Sequence, residues 1–267
     1  MKLLTKIIFI IVAFLIILQK IDINTLKTIK VHSFFYLFLA LIFFNLSQII
    51  SAIRVHYYLK DIKVIPSFKK QLMLYYVGMF YNILLPGGIG GDAYKAYKFQ
   101  KKFNKGYKAI IKALLIDRIS GLFGIFILIG VLLLFTKYKL FSLIFLISPA
   151  ILYLLHKFLF KEFNFKTFFY SIIIQSLQAL SFLFILFSIG VKKKIVLSLI
   201  IFFISSILST IPISIGGVGI RELTFLYLGE YFHLNATILI ICAFLFFMIT
   251  LISSIIGIIF IKKVKDV

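Results

Sequence analysis

Arginine is scarce in this chain: against 27 lysines there are three arginines, Arg54, Arg118 and Arg221. Lysine serves wherever a generic cation is needed, so the three guanidinium groups ask for a reason of their own. A guanidinium offers a planar fork of donors that grips a phosphate or carboxylate through two parallel bonds, which an ammonium does not reproduce. Of the eight acidic residues, three stand beside these arginines or beside glycine-rich breaks: Asp92, Asp117 directly before Arg118, and Glu222 directly after Arg221. Charges flanked by apolar runs are costly at membrane depth and mark functional sites there. The chemistry such a set suits is recognition of an anionic head, with the carboxylates available to an ammonium or to sugar hydroxyls. The bland alternatives are snorkelling of Asp117 and Arg118 near the start of a long helix, and a structural ion pair between Arg221 and Glu222.

No comparable set supports metal or nucleophile chemistry. His32, His56, His156 and His233 are scattered without ligand spacing, and Cys242 is the single cysteine. No metal site and no disulfide are therefore expected. No nucleotide motif is present, so no cofactor is expected either.

Two interruptions must position these charges. "NILLPGGIGGDAYKAY", residues 82–97, places Asn82, Pro86, Gly87, Gly88, Gly90 and Gly91 ahead of Asp92. "PISIGGVGIRE", residues 212–222, places Pro212, Gly216, Gly217 and Gly219 ahead of Arg221 and Glu222. Proline and glycine free backbone N–H and C=O groups, which hydrocarbon does not tolerate unless protein or a water-filled cavity covers them. Two such breaks predict an internal polar cavity; the alternative is a pair of ordinary surface loops. Each break is followed by a short amphipathic stretch, 92–102 and 220–232, read as half a helix. Their first N–H groups, at about Asp92 and Ile220, carry partial positive charge toward the cavity and suit a phosphate.

The setting for this cavity is a bilayer. Of 267 residues, 63% are hydrophobic and 14% charged, with a mean hydropathy of +1.14, more apolar side chain than one soluble core hides. Apolar runs fall at about 4–19, 33–53, 71–85, 109–135, 140–156, 167–190, 195–213 and 236–261, several long enough to cross about 30 Å of hydrocarbon. The net charge of +22 lies in short loops between these runs, so it reads as juxtamembrane lysine facing anionic headgroups and not as a nucleic-acid surface. Lys2 and Lys6 precede the first run without a small-residue cleavage pattern, which makes it an uncleaved helix.

Basic clusters flank the first break on both sides, Arg54 to Lys70 before it and Lys95 to Lys108 after it. A re-entrant hairpin keeps both clusters on one face, as the positive-inside rule favours. Treating the second break alike gives an all-α polytopic bundle of about six full spans plus two re-entrant broken helices. Both termini are then cytoplasmic, at the cost of Lys192, Lys193 and Lys194 outside. The whole chain, 1–267, reads as a single membrane domain whose halves, 1–137 and 138–267, form an inverted repeat of the kind transporters use.

Three stretches carry a family likeness. "NILLPGGIGGDAYKAY", "LLIDRISGL" and "IPISIGGVGIRELTFLYLG", in this order and at these separations, resemble the lysylphosphatidylglycerol synthase transmembrane-region family of flippase-like bacterial and archaeal proteins. The resemblance implies a bacterial cytoplasmic-membrane protein that translocates an anionic or aminoacylated phospholipid, or a polyprenyl-phosphate-linked glycolipid. It places the family's characteristic residues on Arg54, Asn82, Asp92, Asp117, Arg118, Arg221, Glu222 and the glycines and prolines of the breaks. Membrane lipids are the implied partners, with an envelope lipid synthase or glycosyltransferase beside them. Lys95 stands where the family often has arginine, the last helix lacks an arginine common there, and the family's cytosolic synthase domain has no counterpart, so lipid aminoacylation is not expected. Two other classes fit the same residues: a membrane-embedded headgroup transferase with Asp92 or Glu222 as general base, and a non-transporting partner subunit.

Overall fold

The computed structural model describes residues 3–85, 89–159, 165–211, 214 and 216–264, and every regular element among them is helical. Pro86, Gly87, Gly88 and Pro212, expected to form the breaks, lie outside the described residues. Helix is what these runs must form, because a backbone surrounded by hydrocarbon has to satisfy its own N–H and C=O groups within the segment. Among the described residues four helices are long and apolar enough to cross a membrane: α3 (Phe34–Asp61), α6 (Tyr107–Leu133), α9 (Phe165–Ser188) and α12 (Ala236–Phe260). The chain is thus a polytopic helical bundle.

The remaining elements are shorter. α1 (Leu3–Lys20) and the small surface helix α2 (Ile23–Thr28) precede α3. The run expected at 140–156 is not one rod: a 3-10 turn at Lys139–Phe141 leads into α7 (Ser142–Leu146) and then α8 (Ser148–Leu159). Pro149 explains the division, since it lacks an N–H and its ring crowds the carbonyl four residues back. α4 (Phe68–Leu84) and α5 (Gly90–Phe103) flank the first break, and α10 (Ile195–Ser209) and α11 (Ile220–Tyr231) flank the second.

The two ends of the bundle are identified by their contacts. At one end Lys20 pairs with Glu230 at 2.9 Å, the Asp22 N–H donates to Thr237 Oγ1, the His32 N–H donates to Ser188 O at 2.8 Å, and Lys194 Nζ donates to His233 O at 3.0 Å. At the other end Val55, Leu59 and Val64 pack with Phe99, Ile110 and Val264. α4 and α5 thus pack with the Val64 end, and the start of α10 and the end of α11 meet at the His233 end. Between them lies an apolar core from α3, α6, α9, α10, α11 and α12, with Phe182 stacked on Phe202 at 4.6 Å and Phe246 edge-on to Phe202 at 4.9 Å.

The packing pairs repeat across the chain. α3 lies along α9; α4 packs on α5 as α10 packs on α11; α5 packs on α6 as α11 packs on α12; and α4 packs on α12 as α10 packs on α6. Matching α3, α4, α5 and α6 to α9, α10, α11 and α12 maps the α3–α9 contact onto itself and exchanges the other contacts in pairs. The α4–α5 contact depends on glycine: a Cβ built on Gly91 would sit 1.8 Å from the backbone oxygen of Gly78, so the two backbones touch where no side chain fits.

Candidate functional site

The site is built from two charged clusters joined by α6. On α3, Gln48, Ser51 and Arg54 recur at three-residue spacing and share one helix face. Arg54, 5% exposed, sends Nε to Asp117 Oδ1 at 2.8 Å and Nη1 to Ser171 Oγ at 2.9 Å. Ser171 in turn donates to the Thr167 carbonyl on its own helix, at 2.9 Å. One guanidinium thus ties α3 to α6 and α9. Asp117 is 8% exposed, so this is a buried pair with its hydrogen bonds made, the condition under which such a pair holds together in low dielectric.

The second cluster forms at the first break. α5 begins at Gly90, and the Gly91 N–H donates to Asn82 Oδ1 at 2.8 Å. Asp92 follows at the third position of the helix. Its Oδ1 lies 2.6 Å from Lys95 Nζ, and its Oδ2 accepts from Arg118 Nε. Lys95, 7% exposed, also stands 5.0 Å from the ring of Tyr75 on α4, a cation–π distance. Asp117 and Arg118 are sequence neighbours, yet about 100° separates successive residues around a helix, so one turns to α3 and the other to α5. The alternative reading, snorkelling of both near the start of the helix, does not describe this arrangement.

Between the clusters lies a cavity of about 490 Å³. Arg54, Asn82, Asp92, Asp117 and Arg118 all line it, together with Lys95, Gln48, Gln175 and Gln178. The first break reaches its wall through Ile89, and Thr210, at the end of α10 ahead of the second break, lines it too. A narrower apolar groove of about 210 Å³ runs between α5 and α6, lined by Ile89, Ala93, Ile111, Leu114 and Leu115 and closed by Asp92 and Arg118. Ile89, Asp92, Leu115 and Arg118 line both spaces, so the ion pair stands at the threshold between a polar chamber and an apolar one.

Arg221 and Glu222 are elsewhere. Neither lines the cavity. The Arg221 guanidinium carbon lies 5.5 Å from the centre of the Phe246 ring. Glu222 Oε2 accepts the Gly219 N–H at 2.7 Å, satisfying one backbone donor at the start of α11. Among the described residues no ion pair joins the two, since adjacent helical positions do not face each other. The preceding turn requires glycine, with Gly216, Gly217 and Gly219 at φ of +61°, +80° and +87°. The expectation of free half-helix N–H groups is thereby altered: Asn82 takes one at α5 and Glu222 takes one at α11. Glu222→Ala should therefore lower thermal stability by about 1 kcal/mol, the worth of a helix cap, with a thermal melt of the purified variant as the check.

Several cavity residues were not singled out from sequence. Gln48 and Ser51 precede Arg54 at intervals of three, and Thr167, Ser171, Gln175 and Gln178 follow intervals of four, four and three along α9. A polar stripe on an apolar helix is a legible signal of an interior face. Tyr75 had no such signal. Among the described residues no group of three or more metal-ligating side chains comes together.

A family model described as Lysylphosphatidylglycerol synthase TM region matches residues 3–166 and 163–257. No curated protein and no solved structure matches the chain.

Proposed function

The chain belongs to the lysylphosphatidylglycerol synthase transmembrane-region family, and from that premise we propose that it translocates a lipid with an anionic phosphate head across the membrane through the cavity between its broken helices. The observation that carries this reading is the threshold at Asp92 and Arg118, where a chamber lined by several charges adjoins a groove whose other walls are apolar. A lipid has the same division within one molecule. Its acyl chain suits the groove at Ile111 and Leu115, and its head suits the chamber.

In this mechanism the arriving phosphate takes Arg118 and Lys95 from Asp92, exchanging one set of charge-assisted hydrogen bonds for another. Arg118 is suited to the exchange because its side chain is 35% exposed at the threshold. Asp92, once released, is available to an ammonium or a hydroxyl on the head. Arg54 and Asp117 hold the chamber wall throughout. The paired contacts of the two halves support an inverted repeat, and the packing of the two helix pairs at opposite ends supports re-entrant hairpins that meet at the cavity.

The test is reconstitution into liposomes with headgroup-labelled phosphatidylglycerol and polyprenyl-phosphate lipids, following leaflet accessibility. The unmodified protein should move one of these, and Arg118→Ala should slow the movement about tenfold or more, the scale of one lost charge-assisted bond. Leu115→Trp should also slow it by filling the groove, while the head of a short-chain soluble analogue still binds. Transfer of the headgroup to another molecule, seen by mass spectrometry without translocation, would instead establish the transferase reading.

A further inference from the structure

A second pocket, of about 760 Å³, lies at the His233 end, formed by the turns after α6, before α10 and after α11. From Arg118 it lies about 25 Å further along α6, given a rise of about 1.5 Å per residue. Its wall carries Lys137, Lys192 and Lys194, with His233 and the aromatic residues Tyr138 and Tyr231, and no carboxylate. Two of the three lysines have fixed contacts: Lys194 Nζ donates to the carbonyl of His233 at 3.0 Å, and Lys137 Nζ lies 5.2 Å from the ring of Tyr138. The nearest ion pair at this end, Lys20 with Glu230, lies outside the pocket wall.

Lysines at this end are an anomaly of the charge pattern. The connections at the Val64 end hold the dense runs Lys60 to Lys70 and Lys101 to Lys108, so the positive-inside tendency disfavours a second lysine group opposite. A concave basic surface with no acid in its wall gives that group a purpose, because such a shape focuses positive potential and raises the local concentration of anions. Its volume also falls within the range of small-ligand pockets, about 300–1,000 Å³.

We propose that this pocket is a second anion site, which binds a phosphate-bearing group at the end of the bundle opposite the densest lysine loops. The inference does not rest on translocation: the pocket binds its anion whether or not lipid crosses the chamber. The phosphate belongs either to a lipid head in the adjoining leaflet or to a soluble phosphate.

The chain contains no tryptophan, so Phe135→Trp, on the pocket wall and exposed, gives a reporter confined to this site. In nanodiscs of phosphatidylcholine, addition of phosphatidylglycerol should change its fluorescence. Adding K137Q/K192Q/K194Q should shift the titration midpoint about tenfold or more, the scale of a charge-assisted hydrogen bond to the phosphate lost from the pocket wall. K27Q/K30Q/K139Q removes the same charge at the same end outside the pocket wall, and should leave the midpoint unchanged. Inorganic phosphate that elicits the same response and competes with the lipid would identify a soluble ligand; no effect of phosphate would identify the lipid head. Equal shifts from both triple variants, no shift from the first, or no response to either probe would overturn the proposal.

Discussion

Arg54→Leu is expected to lower the stability of the protein by about 3–5 kcal/mol, enough for much of it to be lost from the folded fraction during purification. The effect comes less from the hydrogen bonds removed than from what they leave behind. Asp117 would remain 8% exposed with its partner gone, and a buried carboxylate without a cation is far costlier than either a paired one or an apolar side chain. Ser171 would lose the donor it accepts from as well. The distinguishing measurement is the double variant. Arg54→Leu/Asp117→Leu removes both charges and should recover most of the lost stability, because replacing a whole buried pair by apolar residues is often neutral. Thermal melts of the four proteins of this cycle give the coupling directly. A double variant no more stable than Arg54→Leu alone would show that the helices are joined by something other than this pair.

Gly91→Ala is expected to be nearly as damaging, at about 3 kcal/mol or more, and, on the translocation proposed above, to abolish lipid movement even where protein survives. The added methyl would lie 1.8 Å from the Gly78 oxygen, 2.5 Å from its carbonyl carbon and 2.8 Å from its Cα. All three are backbone, so no rotamer change relieves the overlap, and α4 and α5 must separate. That exceeds the usual overpacking penalty of about 1–3 kcal/mol for an extra methylene among side chains. Separation also withdraws the Gly91 N–H from Asn82 and carries Asp92 away from Arg118. Gly106→Ala offers the comparison, since a Cβ there meets nothing within 4 Å but its φ of +86° is unfavourable for alanine. It should cost about 1 kcal/mol or somewhat more and leave the site assembled.

Much of this protein was legible in its sequence for reasons of solvation. A chain 63% hydrophobic must reside in a bilayer, and a backbone in a bilayer must be helical. The clustering of proline and glycine at 86–91 and 212–219 located the breaks, and the rarity of arginine drew attention to Arg54 and Arg118. The division of the run at 140–156 into α7 and α8 follows from the geometry of Pro149.

What the sequence determined by itself, then, was the medium, the helices, their interruptions and a short set of charges out of place in oil. Tertiary structure alone decided which charges meet. Arg54 pairs with Asp117, 63 positions on, and Asp92 with Arg118, 26 positions on, while Arg221 rests on an aromatic ring and Glu222 caps its own helix. The reason is physical. In water, a helix declares its inner face by hydrophobicity; in lipid, tails and core are equally apolar, and packing is set by small residues and polar contacts. An apolar helix therefore carries little record of which neighbour each face will touch. That choice is made by backbone approaches such as Gly78 to Gly91 and by the few hydrogen bonds that only the assembled bundle completes.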